Sequence, residues 1–191
     1  PLAAPSANRS MCLSPTRAEH VLRGLDARID LILDGGPCSG GLESTVLDVT
    51  TDPPTLLRPG LIGLGDLEAV VGPIAKQRSH SDVARSPGMM SRHYAPQTPI
   101  DFTADDGQER VAELLRQGLR VGWLTCGPVP GSNDSHRVKE TLPNDPAGYA
   151  ARLYDALHRL DAAGVNRIVL ALPPEDDRWL AVHDRLSRMG P

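Results

Sequence analysis

A chain of 191 residues suffices for one large or two small domains, and 40% apolar residues with 18 Gly and 18 Pro place it among ordinary globular proteins. The net charge of −4 is spread evenly, with 9 basic against 10 acidic side chains in residues 1–96 and 11 against 14 in residues 97–191. That excludes a broad phosphate-binding face, which needs clustered positive charge, and 2 Trp, 3 Tyr and 1 Phe are too few for a platform stacking single-stranded bases.

Apolar spacing predicts a helix over 15–25, with Ala18, Val21, Leu22 and Leu25 on one face, Ser14 as N-cap and Pro15 in the first turn. Ile29–Leu33 is expected as a strand that stops at Asp34-Gly35-Gly36. Two further strands are expected at Ser44–Val49 and Thr55–Leu57, then a short helix at Asp66–Val71. From 73 to 99 periodicity vanishes into a Pro- and Ser-rich linker, although Ser86-Pro87-Gly88-Met89 and Arg92-His93-Tyr94-Ala95-Pro96 are chemically richer than a spacer needs. The remainder alternates: strand 100–102, helix 108–117, strand 120–125, helix 147–163, strand 167–172 and helix 179–189. That order predicts a small parallel α/β domain.

Cys12, Cys38 and Cys126 are odd in number and far apart, which fits free thiols in a reducing compartment better than a disulfide framework. No CxxC pair exists and the six histidines are scattered, so no metal site is expected. No apolar run approaches the roughly 18 residues of a membrane span, and no signal peptide is visible. The expectation is a cytoplasmic protein without a membrane partner.

Ser6 and Asn8, two apart after a strand-like start, can present a hydroxyl and an amide to one ligand, or form a turn. Gly40-Gly41 precede Glu43-Ser44-Thr45, where flexible backbone can approach a phosphate or carboxylate. Arg58 sits at a strand end, where α/β folds place ligands; it suits a phosphate grip or a surface ion pair. Arg92-His93-Tyr94 reads as a lid or as a packed linker. Asp105-Asp106 and Glu175-Asp176-Asp177 read as helix N-terminal charges, Cys126-Gly127-Pro128 as a tight turn, and helix 147–163 as a core element only.

The order of the motifs says more than each alone. Ala4-Pro5-Ser6-Ala7-Asn8, Ser14-Pro15-Thr16, Asp34-Gly35-Gly36, Glu43-Ser44-Thr45-Val46, Leu57-Arg58-Pro59-Gly60, Ser86-Pro87-Gly88-Met89 and Arg92-His93-Tyr94-Ala95-Pro96 resemble the threonylcarbamoyl-AMP synthase family in its long form, over essentially the whole chain. The resemblance implies an α/β fold: residues 1–72 as the C-terminal portion of a YrdC-like twisted-sheet catalytic domain, 73–99 as linker, and 100–191 as a small Rossmann-like parallel α/β domain. It implies a nucleotidyltransferase that makes L-threonylcarbamoyl-adenylate and pyrophosphate from L-threonine, bicarbonate and ATP, with Mg²⁺ accompanying the triphosphate. Downstream threonylcarbamoyl-transfer proteins would then modify the tRNA adenosine beside the anticodon, and the even acidic charge implies that tRNA is not bound tightly here. Motif by motif, Ser6 and Ser44 would contact L-threonine, and Asn8, Thr16, Arg58 and Tyr94 would contact ATP. No covalent nucleophile is singled out.

Three departures stand against the family pattern, one of them Met90-Ser91 in the linker where a Lys or aromatic is common. Met11-Cys12-Leu13 replaces a usual Gly-Arg-Pro, and the Lys-x-Arg motif that pairs with Ser-x-Asn is expected upstream of Pro1. The competing reading is therefore a truncated, non-catalytic nucleotide-binding or regulatory module. Service in another carbamoyl-adenylate pathway fits the linker motifs less well.

Overall fold

The computed structural model describes residues 4–26, 28–76, 94–130 and 134–190. It is a mixed α/β structure with two sheets. The larger is built from β4 (Ile100–Thr103), β5 (Val121–Cys126), β6 (Arg137–Leu142) and β7 (Arg167–Ala171) in the spatial order β4-β7-β5-β6. Every pairing in it is parallel, with Ile100 opposite Ile168 and Val121 opposite both Arg167 and Arg137.

The central strands explain why this sheet forms. Residues 121, 123 and 124 of β5 and 168–170 of β7 have no exposed surface, the near-continuous apolar run of strands covered on both faces. Alternation then sorts their side chains. Leu124, Ile168 and Leu170 join the main core with α4 (Pro146–Ala162), whereas Val121, Trp123 and Val169 pack with Val111 and Leu114 of α3 (Gln108–Arg116). The α4 start is fixed by Asp145, whose side chain accepts from the Gly148 amide, with Pro146 in the first turn. Asp105 and Asp106 accept from the amides of Gly107 and Gln108 at the start of α3, the helix-terminal role read from sequence. A 3-10 turn (Asp177–Trp179) leads into α5 (Leu180–Ser187).

The smaller sheet holds β1 (Val46–Asp48), β2 (Thr55–Arg58) and β3 (Ala75–Lys76), with β1 antiparallel and β3 parallel to β2. The same part of the chain carries α1 (Ala18–Leu25) and α2 (Leu64–Val71). The two parts share one core. Leu13, Leu42, Tyr94 and Ala95 belong to the same buried cluster as Leu153, Leu157 and Leu160 of α4.

Several expectations are corrected. Ile29–Leu33 is not a strand, and Leu31 and Leu33 are 75% and 87% exposed, so its apolar side chains lack a covering layer among the described residues. Helix α1 begins at Ala18 with Arg17 as N-cap, because the Ser14 hydroxyl is engaged by Glu43 and its carbonyl by His158. Strand β6, whose alternating Arg, Lys and Glu carry no apolar run, escapes sequence reading; pairing with β5 creates it. Helix α4 is more than a core element, since Tyr154, Asp155 and His158 bind the N-terminal part. No helix among the described residues is long and apolar enough to cross a membrane.

Candidate active site at the junction of the two sheets

The end of β2 and the loop before β1 run so close that a Cβ on Gly60 would meet the Thr45 amide at 2.3 Å. That approach brings Arg58 onto Ser44. The Arg58 Nε donates to the Ser44 carbonyl at 3.1 Å and Nη2 to its hydroxyl at 3.4 Å, with Arg58 only 7% exposed. Tyr94 completes the group by hydrogen-bonding Arg58. It is 2% exposed with a left-handed φ of 63°, a backbone state that a bulky residue keeps only where its surroundings hold it.

Beneath lies a carboxylate hub. Glu43 Oε1 accepts from the Ser14 hydroxyl at 2.5 Å, and Oε2 accepts from Arg185 Nε at 2.8 Å and the Tyr154 hydroxyl at 3.3 Å. The Arg185 guanidinium stands 5.6 Å from the Tyr94 ring centre, within cation–π reach. Burial, then the Glu43 carboxylate, pushes both the Tyr94 and Tyr154 phenols above their usual range. Burial opposes the charge on Arg185, but the Glu43 and Asp184 carboxylates beside it help to hold the guanidinium above its ordinary value. The site therefore presents a fixed positive group, a serine hydroxyl and neutral phenols. Such a set orients a small polar substrate and neutralises phosphate charge.

The structure thus brings together Ser44, Arg58 and Tyr94. Thr16 is buried, its amide donating to His20 Nδ1 at 3.2 Å and its carbonyl accepting from the Cys38 amide at 2.9 Å. Ser6 is exposed, and its carbonyl accepts from the Asn8 amide. Asn8 Nδ2 donates within its own turn to the carbonyls of Arg9 and Cys12, while its buried Oδ1 has no partner among the described residues. Asn8 also lines a cavity of about 230 Å³ with Cys12, His20, Arg23, Gln97 and His158. The unusual Met11-Cys12-Leu13 loop is well seated. The Met11 carbonyl accepts from the Ala95 amide, Cys12 bridges Ala95, and Leu13 is 4% exposed in the core. The Ser86–Met89 motif, Arg92 and His93 lie outside the described residues.

Glu43, Tyr154 and Arg185 were missed as site residues. Glu43 stands inside a quoted motif, but its partners are 29, 111 and 142 residues away, and no local spacing reports them. No group of three or more His, Cys, Asp or Glu among the described residues is arranged to hold a metal ion. Both oxygens of Glu43, the carboxylate nearest Ser44, are already engaged.

A family profile described as "Threonylcarbamoyl-AMP synthase, C-terminal domain" matches residues 62–189, and one described as "Telomere recombination" matches residues 1–60. The chain belongs to the threonylcarbamoyl-AMP synthase family. It is 41% identical to the threonylcarbamoyl-AMP synthase of Bacillus subtilis and 38% identical to that of Pyrococcus abyssi, in each case over 98% of this chain. The chain spans 56% and 57% of the lengths of those two synthases. Among solved structures, P. abyssi Sua5 complexed with L-threonine superposes with a TM-score of 0.82 at 35% identity, covering 98% of this chain and 58% of that one. The resemblance carried by the ordered motifs is borne out.

Proposed function

We propose that this chain takes part in forming L-threonylcarbamoyl-adenylate from L-threonine, bicarbonate and ATP with release of pyrophosphate, in the cytoplasm, ahead of proteins that transfer the group to tRNA. The observation that carries the reading is the Arg58–Ser44–Tyr94 group, in which buried Arg58 and Tyr94 meet an exposed Ser44, in a chain similar to a synthase solved with L-threonine. In this reading Ser44 and Ser6 hold L-threonine, while Arg58, Tyr94, Asn8 and Thr16 hold ATP. The unpartnered Asn8 Oδ1 is suited to accept from such a ligand. Residues 1–72 form the C-terminal portion of the YrdC-like domain, 73–99 the linker and 100–191 the Rossmann-like domain.

The chemistry follows from placement. Threonine and bicarbonate condense, losing water, to a carbamate, whose oxygen attacks the α-phosphorus of ATP. The bond from that phosphorus to the bridging oxygen breaks and pyrophosphate leaves. Arg58 stabilises charge on the phosphates, Ser44 orients the amino acid, and Tyr94 shields the reacting groups from water. With Glu43 engaged, Mg²⁺ would arrive on the triphosphate as part of the substrate rather than in a protein-held site.

The test is threonine-dependent pyrophosphate release with ATP, bicarbonate and Mg²⁺. Arg58→Ala is expected to lower kcat/KM by roughly 10²–10³-fold, the scale of one lost transition-state donor. Nucleotide binding without pyrophosphate release by the full-length protein would favour the non-catalytic module. An Arg58→Ala protein as active as wild type would remove Arg58 from the site.

A further inference from the structure

We infer that Arg185, near the C-terminal end of the chain, is a positioning residue that sets the Ser44 and Arg58 segments relative to each other; this rests on the reading of the site given above. The contacts form a closed circuit. Arg185 Nε donates to Glu43 Oε2 at 2.8 Å and Nη2 to the Glu43 carbonyl at 3.4 Å, so it grips the residue before Ser44 by side chain and backbone. Its Nη1 donates to the Pro59 carbonyl at 3.0 Å, the residue after Arg58. Arg58 closes the circuit by donating to the Ser44 carbonyl and hydroxyl. Asp184 fixes the far side of the guanidinium at 2.6 Å and is itself held by Arg188.

Stability alone is a poor account of this arrangement. The Arg185 side chain has no exposed surface and the Glu43 side chain only 15%, and a buried ion pair is often no more stabilising than apolar residues of the same volume. The guanidinium supplies what an apolar residue cannot, a rigid fork of donors addressing two carboxylates and two backbone carbonyls at once. A lysine ammonium in its place carries the charge without the fork. Because the fork ends on the neighbours of Ser44 and Arg58, and faces the Tyr94 ring at 5.6 Å, helix α5 becomes part of the site's geometry. The C-terminal domain then serves the reaction directly as the wall that braces both substrate-holding segments.

The experiment compares Arg185→Lys, Arg185→Met and Glu43→Gln with wild type in the full-length protein, measuring kcat and KM for L-threonine and ATP together with the thermal midpoint. Lys76→Ala, which removes an exposed ion pair to Asp177, is the control expected to keep wild-type kinetics. Displacing reacting groups by about 1 Å costs on the order of 10²-fold, so Arg185→Met is expected to lose about that much kcat, and Arg185→Lys and Glu43→Gln less. If Arg185→Met does not fold, the two conservative variants carry the test. Lowered midpoints with unchanged kcat and KM in the folded variants would mean a merely structural pair and overturn the inference. A wild type without threonine-dependent pyrophosphate release would instead overturn the proposed function. Hydrogen exchange of residues 43–46 and 57–60 then decides the positioning separately: faster exchange in Arg185→Lys supports it, and equal exchange refutes it.

Discussion

At Gly41 the loop leading into Glu43 lies against the backbone of α4. A Cβ there would sit 2.2 Å from the Ala150 carbonyl and 2.6 Å from the Ala151 Cα, on a φ of +72°. Backbone cannot yield as a flexible side chain would, so Gly41→Ala is expected to cost about 3 kcal/mol, strain plus overpacking. Gly36 also has a positive φ, of +85°, but nothing lies within 4 Å of its Cβ. Gly36→Ala should therefore cost only about 1 kcal/mol. Urea unfolding of both variants measures the difference, and equal costs would show that the loop does not depend on this close approach. The glycine pair was legible in the sequence as a flexible approach to a strand. Its contact with a helix more than 100 residues later was not, because that partner is chosen by the tertiary fold. The same limit divides Ser44, Arg58 and Tyr94, which short motifs brought forward, from Glu43 and Arg185, which only the folded chain connects.

Elements whose own residues carried a strong period were readable. Strands β5 and β7 announce themselves by apolar runs, and α4 by its apolar face. Elements made by their neighbours were not. Strand β6 is polar, and the Ile29–Leu33 segment has a strand's composition without a strand's partner. The face of α4 toward α1 was equally silent, yet it makes a titratable joint. His20 on α1 stacks on His158 on α4 with ring centres 3.8 Å apart. Around them stand Asp155 and Asp161 from α4, Arg23 from α1, and Arg17 at its N-cap. Burial, then the neighbouring His158, lowers the His20 pKa from 6.5 to about 4, and burial lowers that of His158. The unfolded chain therefore binds more protons than the folded one between about pH 6.5 and 4, so stability rises with pH across that window. The His20 contribution, on the order of 3 kcal/mol, is complete above the upper limit and lost toward the lower. At Asp155, burial is outweighed by Arg17 and Arg159, which lower its pKa and extend the acid loss below that window. Urea midpoints from pH 8 to 4 should show the slope, and His20→Gln, which keeps an acceptor for the Thr16 amide, should flatten it. An unchanged slope would place the acid sensitivity elsewhere.

Across the whole molecule the apolar surface is unevenly distributed. Among the described residues, the exposed large hydrophobic ones, Leu31, Leu33, Val49 and Val70 among them, fall between residues 11 and 71, whereas most of the buried core comes from residues 100–190. The first part is thus held less by its own packing than by Leu13, Leu42, Tyr94 and Ala95, which enter the core shared with α4. A cut in that shared core should be felt on both sides. Leu157, fully buried in it, is expected to cost about 2–5 kcal/mol as Leu157→Ala, and the loss should speed amide exchange in β5 and β7 and also in residues 42–46. Leu56, 7% exposed on β2, lies outside that cluster, so Leu56→Ala should speed exchange in β1 and β2 while leaving β5 and β7 near wild type. Native-state hydrogen exchange resolves the two patterns. If Leu157→Ala left residues 42–46 unchanged, the site segments would be held by the small sheet alone. The junction, with Arg185 in it, would then be a surface on which the site rests rather than the frame that shapes it.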